Sequence, residues 1–266
     1  MLSHIKIYTL LQAANLRARS MYPFNFALVL VSVTFFGLTN IILTWVLIQK
    51  VPIIAGWNLY QIVFVMSLWR FSHGFFITFF QQIWNLEYLI REGLMDRFLV
   101  RPLNPLFQFF TMRIQIYGFG DLLAGIGGLA YAAPHIGHWS MLKLFLLVIS
   151  ILSGAVIEWA LMTLLGASAF WTLQAGGLMG LLDTLLNQFS RFPLSVYGRP
   201  IQVVLTFVLP IAFMSFYPSY LFMNGVGQQP LSPWLVYASP GVAVVLAWLA
   251  YLVWRRGIDV YQGAGS

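Results

Sequence analysis

Cysteine is absent from this chain, and charge is scarce. Without Cys there is no disulfide, no thiolate metal site and no cysteine nucleophile. Only 8% of the 266 residues are charged, against about 25% in an ordinary soluble domain. A soluble core cannot absorb the 60% of residues that are hydrophobic, because a folded surface must be covered by something polar. Chemical motifs are missing too. There is no G-x-x-x-x-G-K-[ST] run to cradle nucleotide phosphates, no H-E-x-x-H to hold zinc and no serine elbow. GIGGLA at 125–130 matches a dinucleotide fingerprint in form, but no strand precedes it and it falls in an apolar run. His135 and His138 lie close together without an acidic or thiol neighbour, so no metal site is expected. The net charge of +7 is scattered between apolar runs, which suits topology signals better than nucleic acid. The chain reads as no enzyme in its own right.

What is present is apolar length. A membrane-crossing helix needs about 20 predominantly apolar residues. Six stretches qualify, at about 24–48, 59–83, 106–131, 141–168, 202–223 and 236–254. Aromatic residues make up 17% of the chain and suit interfacial belts. Over residues 1–22, Leu2, Ile5, Leu10, Ala13, Ala14 and Leu16 recur at helical spacing, with Lys6, Arg17 and Arg19 among and after them. That pattern predicts an amphipathic helix lying at the inner membrane surface. The first apolar run is too long for a signal-peptide core and no A-x-A-like site follows it, so no cleavable signal is expected. The expected fold is an all-α membrane protein with six transmembrane helices, forming a single domain over residues 1–266.

Basic residues orient the map. Lys6, Arg17, Arg19, Arg91, Arg97, Arg101, Arg191, Arg199, Arg255 and Arg256 fall on one side, and Lys50 and Lys143 on the other. Ten against two makes the first side cytoplasmic, with both termini there. Outer loops are then short, at 49–58, 132–140 and 224–235. Inner connections are richer. Residues 84–105, WNLEYLIREGLMDRFLVRPLNP, intersperse charges of both signs with apolar residues at helical spacing. Arg101-Pro102 and Asn104-Pro105 end that helix, since a residue before proline is pushed out of the α region. A second inner region is expected at 174–200, with a short helix near 178–190.

Four charges fall inside predicted spans: Arg70, Arg113, Asp121 and Glu158. Each costs at least about 2.5–3.5 kcal/mol at the bilayer centre, so each needs a partner or water. Counting depth at about 1.5 Å per residue pairs Arg70 with Asp121 and, more loosely, Arg113 with Glu158. His73, one turn after Arg70, belongs with the first pair. The pairs suit a polar translocation path or proton relay, and equally a clamp that orders the helices. Gly120, Ala124 and Gly128 form a small-residue ridge for close packing. Pro210 and Pro218 are expected to kink and break the fifth span.

The segment REGLMDRFLVRPLNPLFQFF at 91–110 carries Gly93, Asp96, Leu99, Val100, Arg101, Pro102 and Leu103 in a pattern similar to permeases of ATP-binding-cassette exporters. The likeness is to the type-two exporter class, in a bacterial branch of uncharacterised permease components. RFPLSVYGRPIQVVLTFVLPIAFMSFYPSYLF at 191–222 and WRRGIDVYQGAG at 254–265 agree with it, so the resemblance covers most of the chain.

The resemblance implies a permease in a bacterial cytoplasmic membrane, working with two cytoplasmic ATPase subunits and a second, related permease chain. ATP and Mg would be bound by the ATPase and no cofactor by this chain. Residues 84–100 would be a coupling helix docking on the ATPase, with Glu87, Arg91, Glu92, Asp96, Arg97 and Arg101 available for charge complementarity. An aromatic cavity would suit a hydrophobic or cationic drug-like compound exported from the cell. Phe35, Phe36, Phe207 and Phe213 are the candidate lining. Competing readings are an ion- or proton-coupled secondary transporter and a membrane scaffold.

Overall fold

The computed structural model describes residues 55–112, 114–190, 192–223 and 231–261, with isolated positions between 24 and 53. The expected interfacial helix at 1–22 and most of the expected first span lie outside the described residues, and isolated positions from Phe24 to Val46 are helical. Helices build the described chain, with no strand element in it.

Asn58 starts the first long helix, α1 (Leu59–Phe80), through a capping box. Its side chain accepts the Gln61 N–H at 3.0 Å while its own N–H donates to Gln61 Oε1 at 2.9 Å. Through one 3-10 turn, Gln81–Asn85, the rod continues into α2 (Leu86–Arg91). Leu59–Arg91 therefore runs for 33 residues. At about 1.5 Å per residue that is about 50 Å, well beyond the roughly 30 Å of a hydrocarbon core. The rod is thus longer than a hydrocarbon core is thick.

The coupling segment is expected as one helix over 84–100, and here the structure differs. Gly93, at φ 65°, stops α2 and turns the chain into α3 (Asp96–Leu99). The Gly93 N–H reaches the Ile90 carbonyl at 3.1 Å and the Leu94 N–H reaches the Leu89 carbonyl at 2.8 Å. This pair of bonds closes a helix on a left-handed residue, a conformation glycine adopts without penalty. Asn104 then caps α4 (Pro105–Phe110). The expected third span is accordingly broken: α4 ends, and α5 (Tyr117–Ile136) begins six residues after Thr111 caps it.

Helix α5 packs along α1 by its glycines. A Cβ on Gly125 would stand 2.7–2.8 Å from the Phe71 backbone and Cβ, and one on Gly128 would collide with the Ser67 hydroxyl. Gly118 meets Gly74 and Thr78 in the same way. Gly118, Gly125 and Gly128 thus form the contact with α1, Gly128 being one of the expected small residues, and Gly120 is buried on the same helix.

Ser140 caps α6 (Met141–Gly166), which leads through α7 (Ala169–Thr172) to α8 (Gly176–Phe189). After α8 come α9 (Arg199–Val203) with a π turn (Val204–Val208), a 3-10 turn (Pro210–Phe213) and α10 (Phe216–Ser219). The last helix, α11 (Ser239–Val260), packs on α6. Among the described residues three helices are long and apolar enough to cross a membrane: Leu59–Arg91, Met141–Thr172 and Ser239–Val260. Arg199–Val208 and Pro210–Ser219 pass that test only as a pair, bent by 73° at the break before Pro210.

Contacts at the two ends of the bundle correct the expected path through 174–223. At one end, α1 and α6 begin. There Trp57 Nε1 donates to Ser195 Oγ at 2.9 Å, Lys143 Nζ donates to the Phe222 carbonyl at 3.4 Å, and Tyr60 stacks on His135 at 3.8 Å. At the other end, Glu87 meets Ala175 and Gly176. Helix α8 therefore leads from the Glu87 end towards the Trp57 end, where a second inner element was expected. The bent pair that follows both starts and finishes near the Trp57 end, as a re-entrant hairpin closed by a 2.8 Å hydrogen bond between Thr206 and Tyr217. Pro210 sits at its tip, where the Leu209 φ/ψ of −117° and 94° leaves the helix.

Candidate functional site

Two polar assemblies stand out, one at mid-depth and one at the Glu87 end. At mid-depth, Arg70 of α1 forms an ion pair with Asp121 of α5, their side chains 10% and 14% exposed. The Arg70 guanidinium also lies 5.7 Å from the Trp69 ring centroid. One turn on, His73 Nδ1 lies 2.6 Å from Glu158 Oε1 on α6, and Glu158 is completely buried. Its Oε2 has no hydrogen-bond partner among the described residues.

The expectation for Glu158 was Arg113, and for His73 the Arg70 pair. His73 pairs with Glu158 rather than joining the Arg70 pair, and Arg113, with its expected pairing to Glu158, lies outside the described residues. Depth along a helix follows from counting, whereas the direction a side chain faces does not. Asp183 of α8 lies within electrostatic reach of both His73 and Glu158. It was missed as an intramembrane charge because GLMGLLDTLLNQF was taken for a surface helix. Its single charge in thirteen residues is the signal that sets it apart, and the side chain is half-buried.

The second assembly is built on α2. Glu87 Oε2 accepts the N–H groups of Ala175 and Gly176, both at 2.8 Å. These donors, the Ala175 bond first, hold its carboxyl below the ordinary glutamate range. Glu87 lies about 42 Å along the rod from Leu59, a distance greater than the thickness of a hydrocarbon core. Arg91 Nη1 approaches Glu87 Oε1 at 3.5 Å on the exposed side. Trp84, Tyr88, Glu92, Asp96, Arg97 and Arg101 are exposed around them, and Val100 is 81% exposed. The Arg97 guanidinium lies 5.0 Å from the Phe98 ring centroid. Beneath this surface Trp254 of α11 packs on Phe109, Phe110 and Phe170. Burial and the neighbouring Asp96 push the Tyr261 phenol up to about 12.

The expected cavity aromatics are described only in part. Phe35 is 71% exposed, Phe207 is 65% exposed, Phe213 is buried against Tyr217, and Phe36 lies outside the described residues. A cavity of about 840 Å³ lies among Phe75, Phe79, Phe80, Phe107, Phe110 and Trp159, towards the Glu87 end. Its rings come from α1, α4 and α6, whose meeting no single stretch of sequence reveals. No cluster of three or more metal-binding side chains occurs among the described residues.

A family model described as ABC-2 family transporter protein matches residues 16–265. Neither the curated proteins nor the solved structures contain a match to the chain.

Proposed function

The chain belongs to the ABC-2 family of transporter proteins, and from that premise we propose that it is the permease half of an exporter driven by a separate ATPase. As a member of that family it is a transmembrane subunit and not itself a catalytic enzyme. The ATPase docks on the exposed face of α2, α3 and the turn before α2, and this exposed mixed-charge aromatic surface is the observation that carries the reading. Trp84 and Tyr88 supply apolar anchors, while Arg91, Glu92, Asp96, Arg97 and Arg101 supply charge complementarity. Arg91, Arg97, Arg101, Arg255 and Arg256 gather at this end of the bundle. Lys143 lies at the other, together with Arg199, which follows the Trp57-bonded Ser195 by four residues. Arg199 was counted on the inner side from sequence and leaves it here. The remaining excess still makes the Glu87 end cytoplasmic, in a bacterial inner membrane, with two ATPase copies and a second permease chain in the assembly. ATP and Mg belong to the ATPase.

The cargo proposed is hydrophobic or flat and cationic, because six aromatic rings line the cavity beside the docking surface and ring faces attract cations. Charge reversal at Arg91 and Arg97 tests the dock. The double variant is expected to lose a co-purifying ATPase while remaining folded, and unaltered assembly refutes the reading.

A second reading rests on the buried His73–Glu158 pair, whose free carboxylate oxygen suits an ion- or proton-coupled carrier. Transport abolished by a protonophore yet indifferent to ATP depletion distinguishes it.

A further inference from the structure

Helix α8 has no side-chain cap of its own: Ala175 occupies its N-cap and carries no oxygen to accept the first free N–H groups. The acceptor comes from a different element. Glu87, 88 and 89 residues away in sequence, receives the Ala175 and Gly176 N–H groups on one carboxylate oxygen. A carboxylate at this position also meets the positive end of the helix dipole. Two charge-assisted bonds on one atom fix direction as well as distance, whereas apolar faces are free to slide.

Each end of this connection leads elsewhere. Glu87 belongs to α2, whose exposed side carries Tyr88 and Arg91, with Trp84 exposed on the turn before it. Helix α8 buries Met179, Leu182 and Leu186, and its far end continues into the segment where Ser195 bonds Trp57. From there the chain enters the re-entrant hairpin. A push on α2 thus has a short polar route to a helix that ends at the opposite face of the bundle.

We infer that Glu87 is a positioning residue, a latch that passes displacement of α2 by the ATPase to α8 and so to the Ser195–Trp57 end. The inference rests on the docking reading above. It requires both the reach and the charge of glutamate. Aspartate is one methylene shorter, and glutamine keeps an acceptor oxygen but loses the charge.

The absence of cysteine makes a clean test possible. Val196, 43% exposed and beside Ser195, is replaced by cysteine as a reporter at the far end. The Val196→Cys chain is purified with its ATPase in lipid nanodiscs. Labelling by a fluorescent maleimide is then timed with and without ATP and vanadate, reading the band of this chain. The parent is expected to change its labelling rate several-fold with nucleotide. Adding Glu87→Ala is expected to shrink that change about tenfold while the ATPase stays bound, and Glu87→Gln to retain part of it. An undiminished response in Glu87→Ala, with ATPase bound, overturns the latch. If the alanine variant fails to assemble, Glu87→Gln decides by the same criterion: a reduced response supports the latch and an undiminished one overturns it. A parent that binds no ATPase refutes the docking reading and the latch with it; a parent that binds ATPase but shows no nucleotide response refutes the latch alone.

Discussion

At the Glu87 end of the molecule a glutamate reaches through water-accessible surface to two backbone N–H groups; at mid-depth another, Glu158, is wholly buried against a histidine. The two regions use the same kinds of side chain in media of opposite polarity. In the buried cluster every charge that loses its partner keeps its full desolvation cost, so the cluster holds α1, α5 and α6 in one arrangement. On the exposed side water replaces any lost partner cheaply, so those bonds set geometry more than stability. Polar residues at mid-depth therefore act as determinants of assembly, and those at the Glu87 end, on the proposed reading, serve coupling.

The largest effect that would break this contrast lies in the buried cluster. Asp121→Ala strands the Arg70 guanidinium and is expected to cost about 3–5 kcal/mol, read as loss of folded protein in reversible denaturation in mixed micelles. The double replacement Arg70→Met with Asp121→Leu is expected to recover most of that loss. A single variant as stable as the parent would show that water already reaches the pair.

Packing comes next. Gly125→Val forces a side chain onto the Phe71 backbone, where the clearance for even a Cβ is 2.7–2.8 Å. It is expected to cost about 1–3 kcal/mol by the same measurement. The matching change at Gly127, whose Cβ would meet nothing, is expected to be nearly silent.

Acid gives the smallest effect and sharpens the comparison from the exposed side. The folded Glu87 carboxyl is held below its ordinary value, so its contribution is fully present at neutral pH and above the unfolded value. That contribution is lost only as pH falls through the lowered folded value. Hydrogen exchange at the Ala175 and Gly176 amides is expected to rise across that acid window in the parent and to be insensitive to it in Glu87→Gln.

Several features were legible before any coordinates. Helical character, apolar runs at 59–83, 141–168 and 236–254, and the singular character of 84–105 all follow from periodicity and composition. Depth was legible too, because helical rise is constant, and the side chains of Arg70 and Asp121 meet across α1 and α5. Facing was not. His73 had Asp121 and Glu158 at similar depth, and the rotation of α1 turns it to Glu158. Gly93 within 84–100 was visible as a residue, but its left-handed turn depends on Leu94 returning to Leu89. The path of α8 was hidden most completely. A fourteen-residue helix is too short and too glycine-rich to read as a crossing, and Trp57 and Ser195 are 138 residues apart.

By itself the sequence determined that this chain belongs in lipid, since 60% hydrophobic and 8% charged residues leave no soluble alternative. It also determined which elements are helical and which residues must find polar partners. Tertiary structure alone decided who those partners are, and which stretch turns back before completing a crossing. The physical reason is that burial cost attaches to single residues and can be summed along the chain. Hydrogen bonds and close packing need two surfaces brought together at a fixed angle, and no local stretch of sequence specifies that angle.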